Sequence, residues 1–384
     1  MKASKIVFAF VPLLFLLLAP AGAFAQSATA TGISRNFNPA ISLNALLLYA
    51  GGLTAAEEEH AEGEAEAEEH AHAHGTGEGF AIQETELQVT SYVDPYVKAN
   101  LVLAMHGTDG FELEEGFGQA LFLPRGLGLR AGKFYFEFGK HNSYHTHQYP
   151  FVERPYAWDT VLGAHGLNGA AIEATWLTPL PIYTEILATA FPLTETVYGA
   201  EELPENTWGR AAKLRNFFET SEHTTIDFGI SYAGGEGVEN VDRHFFAVDG
   251  TFKFIGTGSY PKKLELQGEW MRRFEEEGVN EVDGAYAHAL ARVTRRWHVG
   301  ARWDGYFPPP EDHDAESHLE EKSVLHEHEE AHDIHTYTAS LAFVPSEFQA
   351  LRVDVLHRDL GEETDQAVRV QYNFTIGSHP SHPE

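Results

Sequence analysis

Of the 384 residues, 57 are Asp or Glu and 22 are His, and much of that chemistry is gathered into three tracts. The first runs from Glu57 to His74 and carries His60, His70, His72 and His74 between closely spaced glutamates. The second carries His313, His318, His326, His328, His332 and His335, interleaved with acids such as Glu311, Asp312, Glu320, Glu329 and Asp333. A third patch holds His141, His145, His147 and His165. Neutral imidazole nitrogen and carboxylate oxygen together suit zinc, nickel, copper or cobalt, whereas carboxylate alone would suit calcium or magnesium. The candidate metal ligands are therefore His60, His70, His72, His74, His141, His145, His147, His313, His318, His326, His328, His332 and His335, with zinc or a similar divalent ion as ligand or cargo and no tightly bound cofactor. Acidic loops commonly do no more than solvate a surface, but the density of histidine within them favours metal capture. In a flexible strip such binding is weak and exchangeable, and it should fade as pH falls through about 6.5, where imidazole protonates.

The elements that must position these tracts alternate with period two. Val97, Ala99, Leu101, Leu103 and Met105 share one face, and Lys98, Asn100 and His106 the other. Ile226, Phe228, Ile230 and Tyr232 repeat the pattern against Asp227, Gly229 and Ser231, as do Leu264, Leu266 and Trp270 against Glu265, Gln267 and Glu269. Sixteen strands follow: 40–50, 80–92, 96–106, 111–123, 127–139, 169–177, 182–191, 211–219, 224–233, 243–254, 262–274, 282–293, 296–306, 335–343, 348–357 and 366–376. An apolar face suits either a soluble sandwich or a transmembrane barrel. Connection length separates the two. Tight links such as Asp94-Pro95 and Val344-Pro345-Ser346 follow even-numbered strands, whereas the long links at about 51–79, 140–168, 192–210 and 307–334 follow odd-numbered ones. An even strand number with long loops at one end and turns at the other predicts an all-β, transmembrane antiparallel β-barrel without a plug domain. Parity would place all three histidine patches on one external rim. Tyr92, Trp176, Tyr232, Phe254, Trp303, Phe343 and Phe374, near strand ends, fit the aromatic girdles of such a barrel.

The chain opens with a basic n-region, an apolar run from Ile6 to Leu18 and Ala23-Phe24-Ala25, the pattern of a signal peptide over 1–25 with cleavage before Gln26. The expected organisation is then a short segment over 26–39, a barrel over 40–376 with disordered His/Glu-rich loops at 51–79 and 307–334, and a tail over 377–384. The absence of cysteine removes disulfides, thiolate metal sites and thiol nucleophiles. A formal net charge of −31 argues against nucleic acid as a partner. Residues 51–78 contain nine acids and no basic residue, so the expected mouth attracts divalent cations and repels anions within about 10 Å. The expected lumen wall mixes Lys98, Lys213, Arg215, Lys253, Arg302, Arg352 and Arg369 with Glu173, Asp227, Asp249, Glu265, Glu269, Asp304 and Asp354, and sets no ion preference.

Ile33-Ser34-Arg35-Asn36-Phe37-Asn38-Pro39, Gln83-Glu84-Thr85-Glu86-Leu87 with Val93-Asp94-Pro95-Tyr96, and Leu129-Arg130-Ala131-Gly132-Lys133-Phe134 resemble bacterial outer-membrane proteins often labelled zinc-regulated TonB-dependent receptors. His145-x-His147-Gln148-x-Pro150-Phe151-Val152-x-Arg154-Pro155 resembles the long loop of the same proteins. The resemblance implies a Gram-negative outer-membrane barrel, similar in architecture to phosphate-selective-type porins, and a link to zinc supply.

These features lead to the expectation of an outer-membrane channel for zinc or another divalent cation, in contact with outer-membrane lipid, with a homotrimer among its expected partners, and not an enzyme. No G-x-S-x-G, phosphate loop or dinucleotide fingerprint is present, and His145-Thr146-His147 lacks a recognisable catalytic framework. Two other readings are a TonB-dependent-type receptor and a surface zinc buffer without transport. Whether the loop at 140–168 enters the pore is open at this level.

Overall fold

A computed structural model describes residues 39–52, 79–108, 110–163, 165–193, 208–236, 242–258, 261–275, 281–309, 332–361 and 363–377. The sixteen strands are β1 (Ala40–Gly52), β2 (Gly79–Tyr92), β3 (Val97–His106), β4 (Glu112–Ala120), β5 (Leu127–Tyr135), β6 (Asn168–Leu177), β7 (Tyr183–Pro192), β8 (Trp208–Ser221), β9 (Thr224–Glu236), β10 (Asp242–Ile255), β11 (Lys263–Glu275), β12 (Val282–Arg292), β13 (Trp297–Phe307), β14 (Ile334–Ser346), β15 (Gln349–Asp359) and β16 (Thr364–Gly377). Each pairs antiparallel with its sequence neighbours, and β1 pairs with β16 from Ser42↔Gly377 to Gly52↔Ala367, so the sheet closes on itself. Every expected strand is present, with ends shifted by a few residues. The largest shift is at β5, which stops at Tyr135 because the chain leaves the wall there. No separate plug domain occurs among the described residues.

Strand alternation sorts the two faces as the period-two pattern requires. Leu101, Ile186, Leu214, Ile226, Phe228, Leu266, Leu341 and Val355 are exposed on the outside of the barrel. Asn44, Glu86, Glu173, Lys213, Ser231, Asp249, Gln267, Arg302, Thr338 and Asp354 are buried within it. Aromatic side chains crowd both ends of the outer face. Tyr49 and Phe80 meet at 4.9 Å near the long-loop end, and Trp297 and Phe343 at 4.9 Å near the turn end.

The connection from β5 to β6 does not stay at the rim. Residues 136–167 fold inward, with a 3-10 turn (Thr146–Gln148) and a short helix α1 (Tyr156–Leu162). Asn142 ties its base: its Nδ2 donates to the carbonyls of Phe136 (2.7 Å) and Leu167 (3.0 Å), and its Oδ1 accepts from the Leu167 amide (2.9 Å). Phe136, Phe138, Trp158, Val161 and Leu167 form an apolar core with the inward side chains Phe191, Phe245, Met271 and Val282. The long-loop half of the lumen is therefore packed around this segment as a domain interior would be.

Candidate functional site

The inserted segment is fastened to the wall nearly all the way around. Its contact with β8 is a hydrogen bond from Lys213 to the Gly139 carbonyl. On β9, Ser231 Oγ accepts from the Gly139 amide at 3.0 Å, and Lys140 pairs with Asp227 at 2.5 Å. Glu269 on β11 accepts from the amides of Lys140 (3.1 Å) and His141 (3.3 Å) and from the Tyr286 hydroxyl (3.1 Å). Further round, Arg302 on β13 donates to the Glu153 carbonyl at 2.6 Å, Asp354 on β15 accepts from the Val152 amide at 2.8 Å, and Arg369 on β16 pairs with Glu153 at 2.8 Å. Gly139 is required at its place because it adopts φ +54° and a Cβ there would stand 1.7 Å from Glu269 Oε1.

On the β2–β4 side the fastening is of a different kind. Two β-bulges face the same point. In β2 the register against β1 slips between Leu46 and Leu47, so that consecutive Gln83 and Glu84 both turn inward. In β4 the register against β3 slips between Val102 and Leu103, and consecutive Glu114 and Glu115 do the same. A bulge inserts one residue into a strand and re-aims the side chains around it. Glu86, two residues beyond Glu84, shares that inward face.

The 3-10 turn brings His145 and His147 into this group of carboxylates. His145 Nδ1 lies 3.0 Å from Glu114 Oε2 and 3.2 Å from Glu86 Oε2, and its Nε2 lies 3.6 Å from Glu115 Oε2. His147 Nδ1 lies 3.3 Å from the same Glu86 oxygen. His106 Nδ1 on β3 approaches Glu84 at 3.7 Å. Thr146 donates to Glu84 Oε2 at 2.5 Å, and the Tyr135 hydroxyl to Glu114 Oε1 at 2.5 Å. Glu84, Glu86 and Glu115 are buried, and Glu84 Oε1 has no hydrogen-bond donor. Two triads, Glu84/Glu86/His147 and Glu86/Glu114/His145, each offer ligand atoms within 4.8 Å of one another. Burial opposes a charge on His145, but Glu114, with Glu115 and Glu86, outweighs it and holds the imidazole pKa well above its ordinary value.

The expectation of an external rim is corrected for His141, His145 and His147, which lie inside the barrel, the first two buried and His147 half-buried, because their loop packs into it. The structure joins His145 and His147 to the carboxylates but not His141. That ring sits among Tyr144, Tyr149, Trp158 and Tyr286, where burial, with Arg154 and Arg302 nearby, holds its pKa well below the ordinary value. His335 begins β14 against Trp303 and Phe307, part of the aromatic border, and His332 is exposed just before it. His60, His70, His72, His74, His313, His318, His326 and His328 lie outside the described residues, as do the leader 1–25 and the tail beyond Gly377. Glu84, Glu86, Glu114 and Glu115 are the site residues that sequence reasoning passed over. The paired acids in Gln83-Glu84-Thr85-Glu86 and Glu112-Leu113-Glu114-Glu115 were a signal, since in a barrel an acid on the inner face meets neighbours across the lumen.

A cavity of about 290 Å³ is bordered by Tyr144, His147 and Tyr149 from the loop and by Lys253, Glu265 and Arg352 from the wall.

A closed antiparallel barrel of sixteen strands with a polar interior and an inserted loop after β5 defines a porin-type fold. No family model matches the chain. A relative from Aquifex aeolicus (strain VF5), described as an uncharacterized protein, is 28% identical over 348 residues, which is 79% of this chain and 70% of that one. Among solved structures, the chain is similar to OprB of Pseudomonas putida at high pH (TM-score 0.64, 8% identity, 88% of this chain and 94% of that one). It is also similar to the outer membrane channel DcaP of Acinetobacter baumannii (TM-score 0.56, 9% identity, 88% and 96%). A third is an anion-selective porin from Comamonas acidovorans (TM-score 0.54, 12% identity, 88% and 100%). At these identities the likeness is one of fold.

Proposed function

We propose that the chain is an outer-membrane channel of porin type, exported by its 1–25 leader, through which zinc or a similar divalent cation enters. The observation that carries this reading is the closed barrel with an apolar, aromatic-bordered exterior and a polar interior. Such an exterior has no favourable place in water but matches a hydrocarbon layer. Sixteen strands belong to the size class that leaves an aqueous channel, whereas plugged transporters of the TonB-dependent kind have 22. The receptor part of the zinc-regulated label therefore draws no support from the barrel.

The cation preference rests on the acidic, histidine-rich tracts around His60–His74 and His313–His335. They follow β1 and β13, which end at the same rim of the barrel, and negative charge joined to that rim would concentrate divalent ions at the mouth. The outer face over β10–β13 carries small residues, Gly250, Gly268, Ala287, Ala289 and Ala301, in a smooth depression that would suit a neighbouring copy in a trimer. One of the similar structures, OmpT of Vibrio cholerae, is a trimer form (TM-score 0.51, 7% identity, 88% of this chain and 98% of that one).

The test is conductance of the refolded chain in planar bilayers, with ion selectivity taken from the reversal potential in a salt gradient. A cation-selective pore supports the proposal. A barrel that inserts but passes no ions favours the alternative, a surface protein that buffers zinc without carrying it. Deleting 57–74 and 311–331 should lower zinc accumulation in a channel at low external zinc while leaving bulk conductance unchanged.

A further inference from the structure

We infer that Glu84, Glu86, Glu114, His145 and His147 form a resident transition-metal site that clamps the inserted loop to the barrel wall, so that zinc-class ions hold the lumen in its narrowed state. The inference goes beyond the channel reading and rests on it only for its conductance measurement.

The geometry has room for an ion at the centre of the group. A tetrahedral zinc ion with ligands at about 2.0–2.1 Å spaces those ligands about 3.3–3.4 Å apart. The donor separations of 3.0, 3.2 and 3.3 Å among His145, His147, Glu86 and Glu114 lie close to that spacing. Glu86 is common to both triads, and Glu84 Oε1 is buried without a donor. Buried carboxylate oxygens in that condition are costly unless a cation or proton satisfies them. A mixed imidazole and carboxylate set selects borderline divalent ions over calcium and magnesium, which prefer oxygen alone. Thr146 and Tyr135 hold the outer oxygens of Glu84 and Glu114, the role that supporting hydrogen bonds play around metal ligands.

The donors come from two bodies. The carboxylates belong to β2 and β4 and the imidazoles to the loop, so the site exists only while the loop is inserted. An ion that binds one conformation alone shifts the equilibrium toward it, by about a hundredfold at a hundredfold excess over its Kd. The loop's other ties, through Lys140, Val152 and Glu153, lie around the remaining wall. Releasing the β2–β4 side would loosen the stretch around the 3-10 turn, while those ties and the apolar core keep the rest of the segment in place.

The test uses the full chain, wild type against Glu86→Gln and His147→Gln, all carrying the same rim tracts, with folding verified by heat-modifiable migration on gels. After chelation, Co²⁺ titration should give the wild type an additional tetrahedral visible absorption that both variants lack. Zinc should lower wild-type conductance severalfold, reversibly with EDTA, and protect the loop from protease. The variants should show neither effect, and calcium or magnesium at equal concentration should not replace zinc. Equal cobalt spectra, or equal zinc responses, in wild type and variants would overturn the clamp. Should the protein conduct nothing at all, the channel reading fails, and the cobalt and protease measurements still decide the clamp. If Glu86→Gln does not fold, His147→Gln carries the comparison.

Discussion

The backbone amide of Val152, in the middle of the inserted loop, donates a 2.8 Å hydrogen bond to Asp354 Oδ2 on β15, while the Val152 carbonyl accepts from Gln83 on β2 at 3.1 Å. Hydrogen bonds to charged groups contribute about 1.5–3 kcal/mol. Asp354→Ala should therefore loosen the loop by that order without opening the barrel. Single-channel recordings should show larger or noisier conductance. An unchanged trace would mean the neighbouring ties of Glu153 to Arg302 and Arg369 suffice without it.

Gly139→Ala places a methyl group against Glu269 and asks a non-glycine residue to hold φ +54°. Overpacking of this kind costs about 1–3 kcal/mol. The expected outcome is faster protease cleavage within 136–167 while heat-modifiable migration of the barrel is kept.

Loop insertion should depend on pH through two histidines of opposite sign. His145 has a raised pKa when inserted, so its stabilisation is fully present below about 6.5, the ordinary value, and is lost as pH rises through the inserted-state pKa. His141 has a lowered pKa, so its stabilisation is present above about 6.5 and is lost as pH falls through the inserted-state pKa. Asp159 on α1 is pushed up to about 6 by burial against the pull of Arg154, so its contribution is lost as pH rises between its ordinary value and about 6. In metal-free protein, His141→Gln should flatten the acid side of the loop-protection profile and His145→Gln the alkaline side. Protease protection measured from pH 5 to 8 checks both.

Leu214 lies midway along β8 on the outer face, beside Ile186 and Ile230 on the flanking strands. If that face meets hydrocarbon, Leu214→Arg should cost about 2–4 kcal/mol of folding free energy in bilayers. The same substitution at Lys213, one residue away and facing inward, should cost less in lipid contact and act on the loop instead. Refolding titrations into lipid vesicles separate the two.

The wall was legible because a membrane barrel enforces period two on every strand, and Ile226 to Tyr232 or Leu264 to Trp270 obey it without interruption. Loop parity fixed the closure, since only alternating ends sort long links from short ones. What escaped was the interior. Nothing local in Phe136 or Trp158 distinguishes an inserted loop from a rim loop, because their partners Phe191, Phe245 and Met271 are remote in sequence. The carboxylates were hidden for a second reason. Bulges at Gln83 and Glu114 break the alternation that made the strands readable, so acids that share a face look as though they should be divided between two.

The seam between β1 and β16, where Leu47 pairs with Tyr372, joins the first and last strands of the barrel. Until the last strand emerges, β1 presents an unsatisfied edge, and no partial cylinder can stand in for the finished one. Assembly is thereby forced to wait for the complete chain, and a premature stop anywhere before Thr364 would leave two adhesive borders in place of a shorter working barrel.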